Sequence, residues 1–341
     1  MRIAVCAPQV PFARGGAELM AESLVSELRA RDHEADLVTV PFKWYPGTRV
    51  LSQALLWRLV DLDEADGRRI DLVVATKFPS YCVRHPRKVA WVLHQFRQAY
   101  EYDRTDLGQF SESAEDRATR RAVHRLDRLA LGECRHVFAT SRNVAERLAR
   151  SVEVEAEVLP HPPQTLAYRS ESYEDFVLSV NRVDRAKRID LLIEAAAAEP
   201  ALRVVVAGDG PDRPRLEALA RERGLNGRVE FRGRVPDDEL VDLYARCRAV
   251  FYAPLDEDFG MVPYEAFLSG KPVLTTTDAG GPLEVVANGE TGLVTAPEPA
   301  EIARAAAGLD AETAREYGQA GRLVAERVSW DACIDRLLAF A

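Results

Sequence analysis

The chain has 341 residues, enough for two ordinary domains with full cores, and 47% hydrophobic against 29% charged residues is the balance of a soluble globular protein. Its formal net charge is −9, unevenly placed: residues 1–168 hold 24 Lys plus Arg against 23 Asp plus Glu, and the remainder 21 against 31. An acidic second half over a near-neutral first half excludes a general nucleic-acid surface. No run approaches the roughly 18 uninterrupted apolar residues of a membrane span, and the chain opens on a strand pattern with no signal peptide, so a cytoplasmic location is expected. The five cysteines lack C-x-x-C spacing, which argues against a disulfide framework or a zinc site and for core or near-surface thiols. Only Lys43, Lys77, Lys88, Lys187 and Lys271 are lysines; with abundant Ala, this arginine bias suggests a GC-rich bacterial genome and lowers the information in any single arginine.

In chain order, residues 2–6 form a short apolar strand, a loop PQVPFARGGAE follows, and 19–30 has helical periodicity. Gly15-Gly16 ahead of a helix fits a tight turn as well as a phosphate loop, since neither the dinucleotide fingerprint nor a Walker lysine is present. Alternation continues with a strand over 35–40, a helix over 50–59 and a strand over 71–75. Residues 42–59 carry Trp44, Tyr45 and Trp57 with few charges, which suits a helix packed on the sheet, an acceptor or a membrane surface. The strand 88–93 ends at His94, at the carboxyl edge where open α/β sheets bind ligands, although a histidine there can also simply cap the sheet edge. Residues 95–109 read as a flexible polar loop. A helix is then expected from Ser111 to Leu131, with Arg117, Arg121, Arg125 and Arg128 on one face, either solvated among counter-charges or turned to an anionic surface. After a strand over 136–140, Ser141 caps the next helix, and Pro160-His161-Pro162-Pro163 marks a linker in which the histidine is structural.

The second half repeats the alternation from the strand 176–180. Arg182 and Lys187 lie on the loop after that strand, where two cations can neutralise a leaving diphosphate. The segment 254–272, PLDEDFGMVPYEAFLSGKP, joins an apolar strand to a helix start: Gly260 permits close approach of backbone to a ligand, and amides around Met261 and Val262 can accept an anion. Glu257 and Glu265 could serve the helix dipole alone. Asp256 and Asp258 form an Asp-x-Asp such as metal-dependent GT-A transferases use for a divalent cation.

With seven residues between them around Phe259-Gly260, Glu257 and Glu265 resemble the paired-glutamate motif of retaining GT-B glycosyltransferases, the group 1 type of glycosyltransferase family 4. Asn181 to Arg188 resembles the family loop whose Arg and Lys hold the donor diphosphate, except that Arg188 replaces a frequent glycine. The resemblance covers almost the whole chain and is densest over 176–293. It implies an α/β GT-B fold of two Rossmann-like domains facing a central cleft: 1–168 binding the acceptor, 169–328 binding the nucleotide sugar, and a last helix in 329–341 crossing back to the first domain. It further implies catalytic roles for His94 and Glu257, with Glu257 on the sugar. Donor contacts fall to Gly16, Arg182, Lys187, Arg234, Val235, Gly260, Met261, Val262 and Glu265, the last on the ribose. The usual Asp after the histidine is Gln95 here. The expected activity is metal-independent, retaining transfer from a nucleoside diphosphate sugar (UDP, GDP or dTDP) to a hydroxyl acceptor of a bacterial glycan, glycolipid or natural product. No cofactor is expected, and peripheral membrane contact is weighed. The rival readings are a non-catalytic sugar-nucleotide-binding subunit and a GT-B-like sugar-nucleotide epimerase; a dehydrogenase is disfavoured because the dinucleotide fingerprint is missing.

Overall fold

The computed structural model describes residues 1–12 and 14–341; Ala13, in the expected loop ahead of the first helix, lies outside the described residues. The chain divides into two units, Met1–Gln164 with Ser329–Ala341, and Thr165–Val328. The boundary thus falls four residues before the expected 168, just past the Pro160-His161-Pro162-Pro163 stretch.

The first unit contains β1 (Arg2–Gln9), α1 (Gly16–Arg29), β2 (Glu34–Pro41), α2 (Val50–Leu59), the short ribbon β3 (Glu64–Ala65) and β4 (Arg68–Arg69), β5 (Leu72–Ala75), β6 (Lys88–Val92), α3 (Ala114–Gly132), β7 (His136–Ala139), α4 (Arg142–Val152) and β8 (Glu157–Val158). Its parallel sheet has the order β2-β1-β5-β6-β7-β8. Strands β5 and β6 are buried along their whole length, as parallel strands covered on both faces require. Successive side chains alternate between two cores: Ala4, Cys6, Val73 and Ala75 face α2, α3 and α4, whereas Ile3, Val5, Leu72 and Val74 face α1 and the last helix.

The second unit contains β9 (Val177–Val180), α5 (Ile189–Ala198), β10 (Val204–Ala207), α6 (Arg213–Glu222), β11 (Val229–Gly233), α7 (Asp237–Arg246), β12 (Ala249–Phe251), α8 (Val262–Leu268), β13 (Val273–Thr276), β14 (Gly292–Thr295), α9 (Pro299–Gly308) and α10 (Ala311–Ala325). Its parallel sheet runs β11-β10-β9-β12-β13-β14, the doubly wound order that reverses between β9 and β12. The last helix, α11 (Trp330–Leu338), belongs to the first unit: Ser329 caps it, accepting from the Ala332 amide at 3.3 Å, and Trp330 meets Trp91 edge-on at 6.3 Å. Arg336 forks onto Glu157, and His136 stacks on Phe340 at 4.2 Å.

Two expectations need correction. The helix after the polar loop begins at Ala114 rather than Ser111, because Ser113 is the residue that caps it, accepting from the Asp116 amide at 3.1 Å. The segment 95–109 is not an open flexible loop. Phe96, Ala99 and Phe110 enter the core against Phe42 and Phe78, and the Tyr100 hydroxyl donates to buried Asp127 at 2.7 Å. Periodicity does not register such residues, because they reach the core from irregular backbone. Tyr81 also donates to Asp127, at 2.9 Å. Burial pushes this carboxyl up to about 7, against the two hydroxyl hydrogen bonds that favour its charge. His161 is buried edge-on to Trp91, and burial lowers it to about 4, so it is the structural histidine expected from its proline neighbours. All five cysteines are free thiols, and only Cys134 is not fully buried.

Candidate active site

Three loops meet at the carboxyl edge of the second sheet, after β9, β12 and β13. The Leu255 amide donates to the Ala186 carbonyl at 2.8 Å, the Asp256 amide to Asp278 at 2.9 Å and the Glu257 amide to Ala279 at 2.8 Å, while the Gly281 amide returns to Glu257 at 2.8 Å. Arg188 fastens all three loops. Its guanidinium forks onto the Asp278 carboxylate at 2.7 and 2.7 Å and donates to the Thr276 hydroxyl at 2.8 Å and to the carbonyls of Ala253 and Pro254 at 2.9 and 3.1 Å. Arg188 lies at φ +49°, a left-handed backbone that glycine adopts most easily, and here a side chain is put to use from it.

This edge is the topological switch point of the sheet, where Lys187 and Glu257 come together. The Lys187 ammonium is ion-paired with the Glu257 carboxylate, the Tyr252 hydroxyl donates to the same carboxylate at 3.0 Å, and Lys187 reaches that hydroxyl at 3.3 Å. Burial works against the charge on Lys187, but the adjacent Glu257 outweighs it and holds the ammonium above the usual lysine range. Arg182 stands differently: its side chain is 71% exposed, and among the described residues its ion-pair contact is to Asp184 at 3.9 Å. The two expected diphosphate cations are therefore not equivalent, one being tied to a carboxylate and the other in water.

Gly260 turns the chain at φ +84°, where a Cβ would come within 2.8 Å of the Tyr252 ring. Met261 is the N-cap of α8 and Val262 its first residue, followed by Pro263, which has no N–H to offer. Glu265 is half-buried one turn into α8 and accepts from the Tyr244 hydroxyl of α7 at 2.6 Å. Burial raises its carboxyl, and the Tyr244 bond offsets part of that rise. Arg234 and Val235 follow β11, two strands from the switch point; Arg234 is exposed and Val235 packs into the core.

In the first unit, Gly16 opens α1 after β1, and His94 follows β6 with Nδ1 2.6 Å from the Gln95 carbonyl. The glycine loop is held by a pair that sequence reading missed. Glu18 accepts from the Gly15 amide at 2.9 Å and from Lys77 at 2.9 Å, both side chains being nearly buried. Tyr252, Arg188 and Glu18 carried no usable signal, because a tyrosine ending a strand, an arginine among many and a glutamate in a first helical turn each have ordinary explanations. Among the described residues, no group of three or more His, Cys, Asp or Glu side chains is arranged to hold a metal ion.

Residues 167–324 match the family described as "Glycosyl transferases group 1". That match spans nearly the whole of the second unit. D-inositol 3-phosphate glycosyltransferase of Mycobacterium avium (strain 104) is 35% identical over 176 residues, covering 49% of this chain and 41% of that protein. Human alpha-1,3/1,6-mannosyltransferase ALG2 is 28% identical over 184 residues, covering 48% of this chain and 44% of that one. The chain thus spans about two fifths of the length of the curated relatives it matches. Among solved structures, sucrose-phosphate synthase from Thermosynechococcus elongatus aligns with TM-score 0.80 at 20% identity, covering 100% of both chains. Anabaena HepE in complex with UDP-glucose aligns with TM-score 0.73 at 18% identity over 99% of both. At these identities the likeness is one of fold, and that fold is α/β with two Rossmann-like domains of the GT-B type.

Proposed function

We propose that this chain transfers a sugar from a nucleoside diphosphate sugar to a hydroxyl acceptor with retention of anomeric configuration, without a metal ion. The observation that carries the reading is the meeting of Lys187 and Glu257 at the switch point of a domain that matches the group 1 glycosyltransferase family. A lysine exchanging its carboxylate partner for a phosphate oxygen delivers positive charge where the leaving group needs it, and the same exchange releases Glu257 to accept from sugar hydroxyls. Arg182 adds a second cation from solvent, and amides at Met261 and Val262 supply neutral donors. Glu265, with one oxygen fixed by Tyr244, keeps the other for ribose hydroxyls. His94 and Gly16 keep the roles given by the family resemblance, at the reacting centre and the diphosphate.

In the same-face step, the bond from the anomeric carbon to the departing phosphate oxygen breaks as the bond to the acceptor oxygen forms. The acceptor proton passes to that phosphate oxygen, so the chain need supply no nucleophile. HepE was solved with UDP-glucose, which makes UDP sugars the first donors to try.

The test is thermal shift and turnover with UDP, GDP and dTDP sugars, with and without EDTA. The expected outcome is a metal-independent rise in Tm with one nucleoside diphosphate and donor consumption only when acceptor is present. A strict metal requirement would shift the charge-neutralising role to Asp256 and Asp258, and no response to any nucleotide would overturn the reading.

A further inference from the structure

We propose that the first unit carries a docking face for an anionic lipid bilayer, formed by the outward side of α2 and the neighbouring ridge of α3. This goes beyond the transferase reading, and its test needs no turnover, so the two can fail separately.

Helix α2 breaks the ordinary rule that a surface helix shows polar residues to water. Val50, Ala54 and Trp57 are buried beneath it, yet Leu55, Leu56 and Leu59 on the outward side are 57%, 49% and 80% exposed. Such a face, on which Ser52 is the exposed polar residue, is what an interfacial helix lays against an acyl boundary. The loop ahead of it adds two amphipathic rings. Trp44 and Tyr45 touch edge-on at 5.0 Å and are half exposed, and Gln53 of α2 bonds the Lys43 backbone while Gln109 donates to the Trp44 carbonyl at 2.9 Å. Rings held in place with one side in water suit the headgroup layer.

Charge selects the occupant. Arg58 of α2 forks onto Glu133, the residue after α3, at 2.6 and 2.9 Å, which ties the two helices together and neutralises that acid. One turn before Glu133, Leu129 extends the apolar face, and Arg125 and Arg121 continue along the same side of α3. Arg117 and Arg128 are matched by Glu112 and Glu153, but Arg121 and Arg125 form no ion pair among the described residues, nor do Lys43 and Arg49 at the other end of α2. Four cations without an ion pair among the described residues attract an anionic headgroup layer at about five-fold in partitioning per charge, an attraction that salt removes and that the exposed Asp61 and Asp63 after α2 reduce in part. No helix among the described residues is long and apolar enough to cross a membrane, so the contact proposed is peripheral.

The full chain is floated with vesicles of phosphatidylcholine alone and of equal phosphatidylcholine and phosphatidylglycerol, at low and high salt. Binding is expected to the anionic vesicles at low salt, falling at least ten-fold in high salt or on neutral vesicles. Leu55→Gln with Leu59→Gln should cut it by at least ten-fold, and Arg121→Glu with Arg125→Glu by at least as much, with both variants melting like the parent. A second readout needs no variant: of four tryptophans only Trp44 is exposed, so a blue shift of its emission on anionic vesicles reports the docking itself. No binding to anionic vesicles, binding that both variants retain, or a dimer that the leucine variant dissolves would overturn the proposal, the last by giving the face to a second copy of the chain.

Discussion

Lys187 and Glu257 hold opposite charges in a space with little water, so removing either leaves the other without its compensation. The side chains are 20% and 14% exposed, and the pair also engages Tyr252. Glu257→Gln keeps the shape and the Tyr252 contact but cannot hold the ammonium. Turnover is expected to fall by at least 100-fold, about 3 kcal/mol of transition-state stabilisation, with the fold retained; comparing kcat and circular dichroism for parent and variant decides this. Lys187→Ala leaves a nearly buried carboxylate where the diphosphate is proposed to bind, so donor KM should rise together with the loss of kcat. If KM alone rises, Lys187 binds donor without favouring the transition state. Asp127 makes a different kind of prediction. Its folded pKa is raised from the ordinary aspartate value to about 7, so the folded state binds the proton more tightly than the unfolded chain. The sign follows: its contribution to stability is present in acid and is lost as pH rises through about 7. His161 works oppositely, since its lowered pKa removes stability as pH falls below 6.5 toward about 4. Thermal melts of parent and Asp127→Asn from pH 5 to 8 separate them: parent stability relative to the variant should decline as pH rises, and parallel curves would refute the role given to Asp127.

At the scale of elements, the active-site loops are short pieces of irregular backbone made rigid by one another. Arg188 is the fastener, and it occupies a left-handed position that glycine would adopt without strain. Arg188→Gly relieves the backbone but leaves the Asp278 carboxylate and two carbonyls without their charged donor. The balance is expected to cost the second unit about 1–3 kcal/mol, with a higher donor KM. Arg188→Lys should not rescue it, because an ammonium cannot fork onto a carboxylate. Melting temperature and donor KM of the two variants, measured side by side, check the claim. In the first unit, Glu18 and Lys77 do the corresponding work for the Gly15-Gly16 turn.

For the whole molecule, the chain leaves its first unit at Gln164 and returns to it at Ser329. Trp330, Cys333, Ile334 and Leu337 fill the core over Trp91 and Phe138, and a side chain of this size buried fully is worth about 1.5–3 kcal/mol. A chain ending before Ser329 should therefore lose the cooperative unfolding of the first unit while the second unit melts nearly as before. Calorimetry of the truncated and full chains tests this, and equal loss in both units would contradict it.

The alternation of strands and helices, the linker near Pro160 and the segment from Pro254 to Pro272 were legible in the sequence, because each depends on local periodicity or on a turn residue with few substitutes. The expected span of α2 agrees with the structure residue for residue. The ribbon β3–β4 and helices α9 and α10 were not read: the ribbon is only two residues a side, and Ala-rich helices show a weak apolar face. Sequence alone placed Lys187 and Glu257 on loops after two strands and assigned them different duties. That the strands are neighbours, and that the two charges meet, was decided by the order of the sheet, because pairing of β9 with β12 joins residues seventy positions apart that no local pattern relates. The same holds for Arg188, whose five acceptor atoms lie after β12 and at or just past the end of β13, and for the leucines of α2, since an apolar run reads alike whether its outer side is covered or bare.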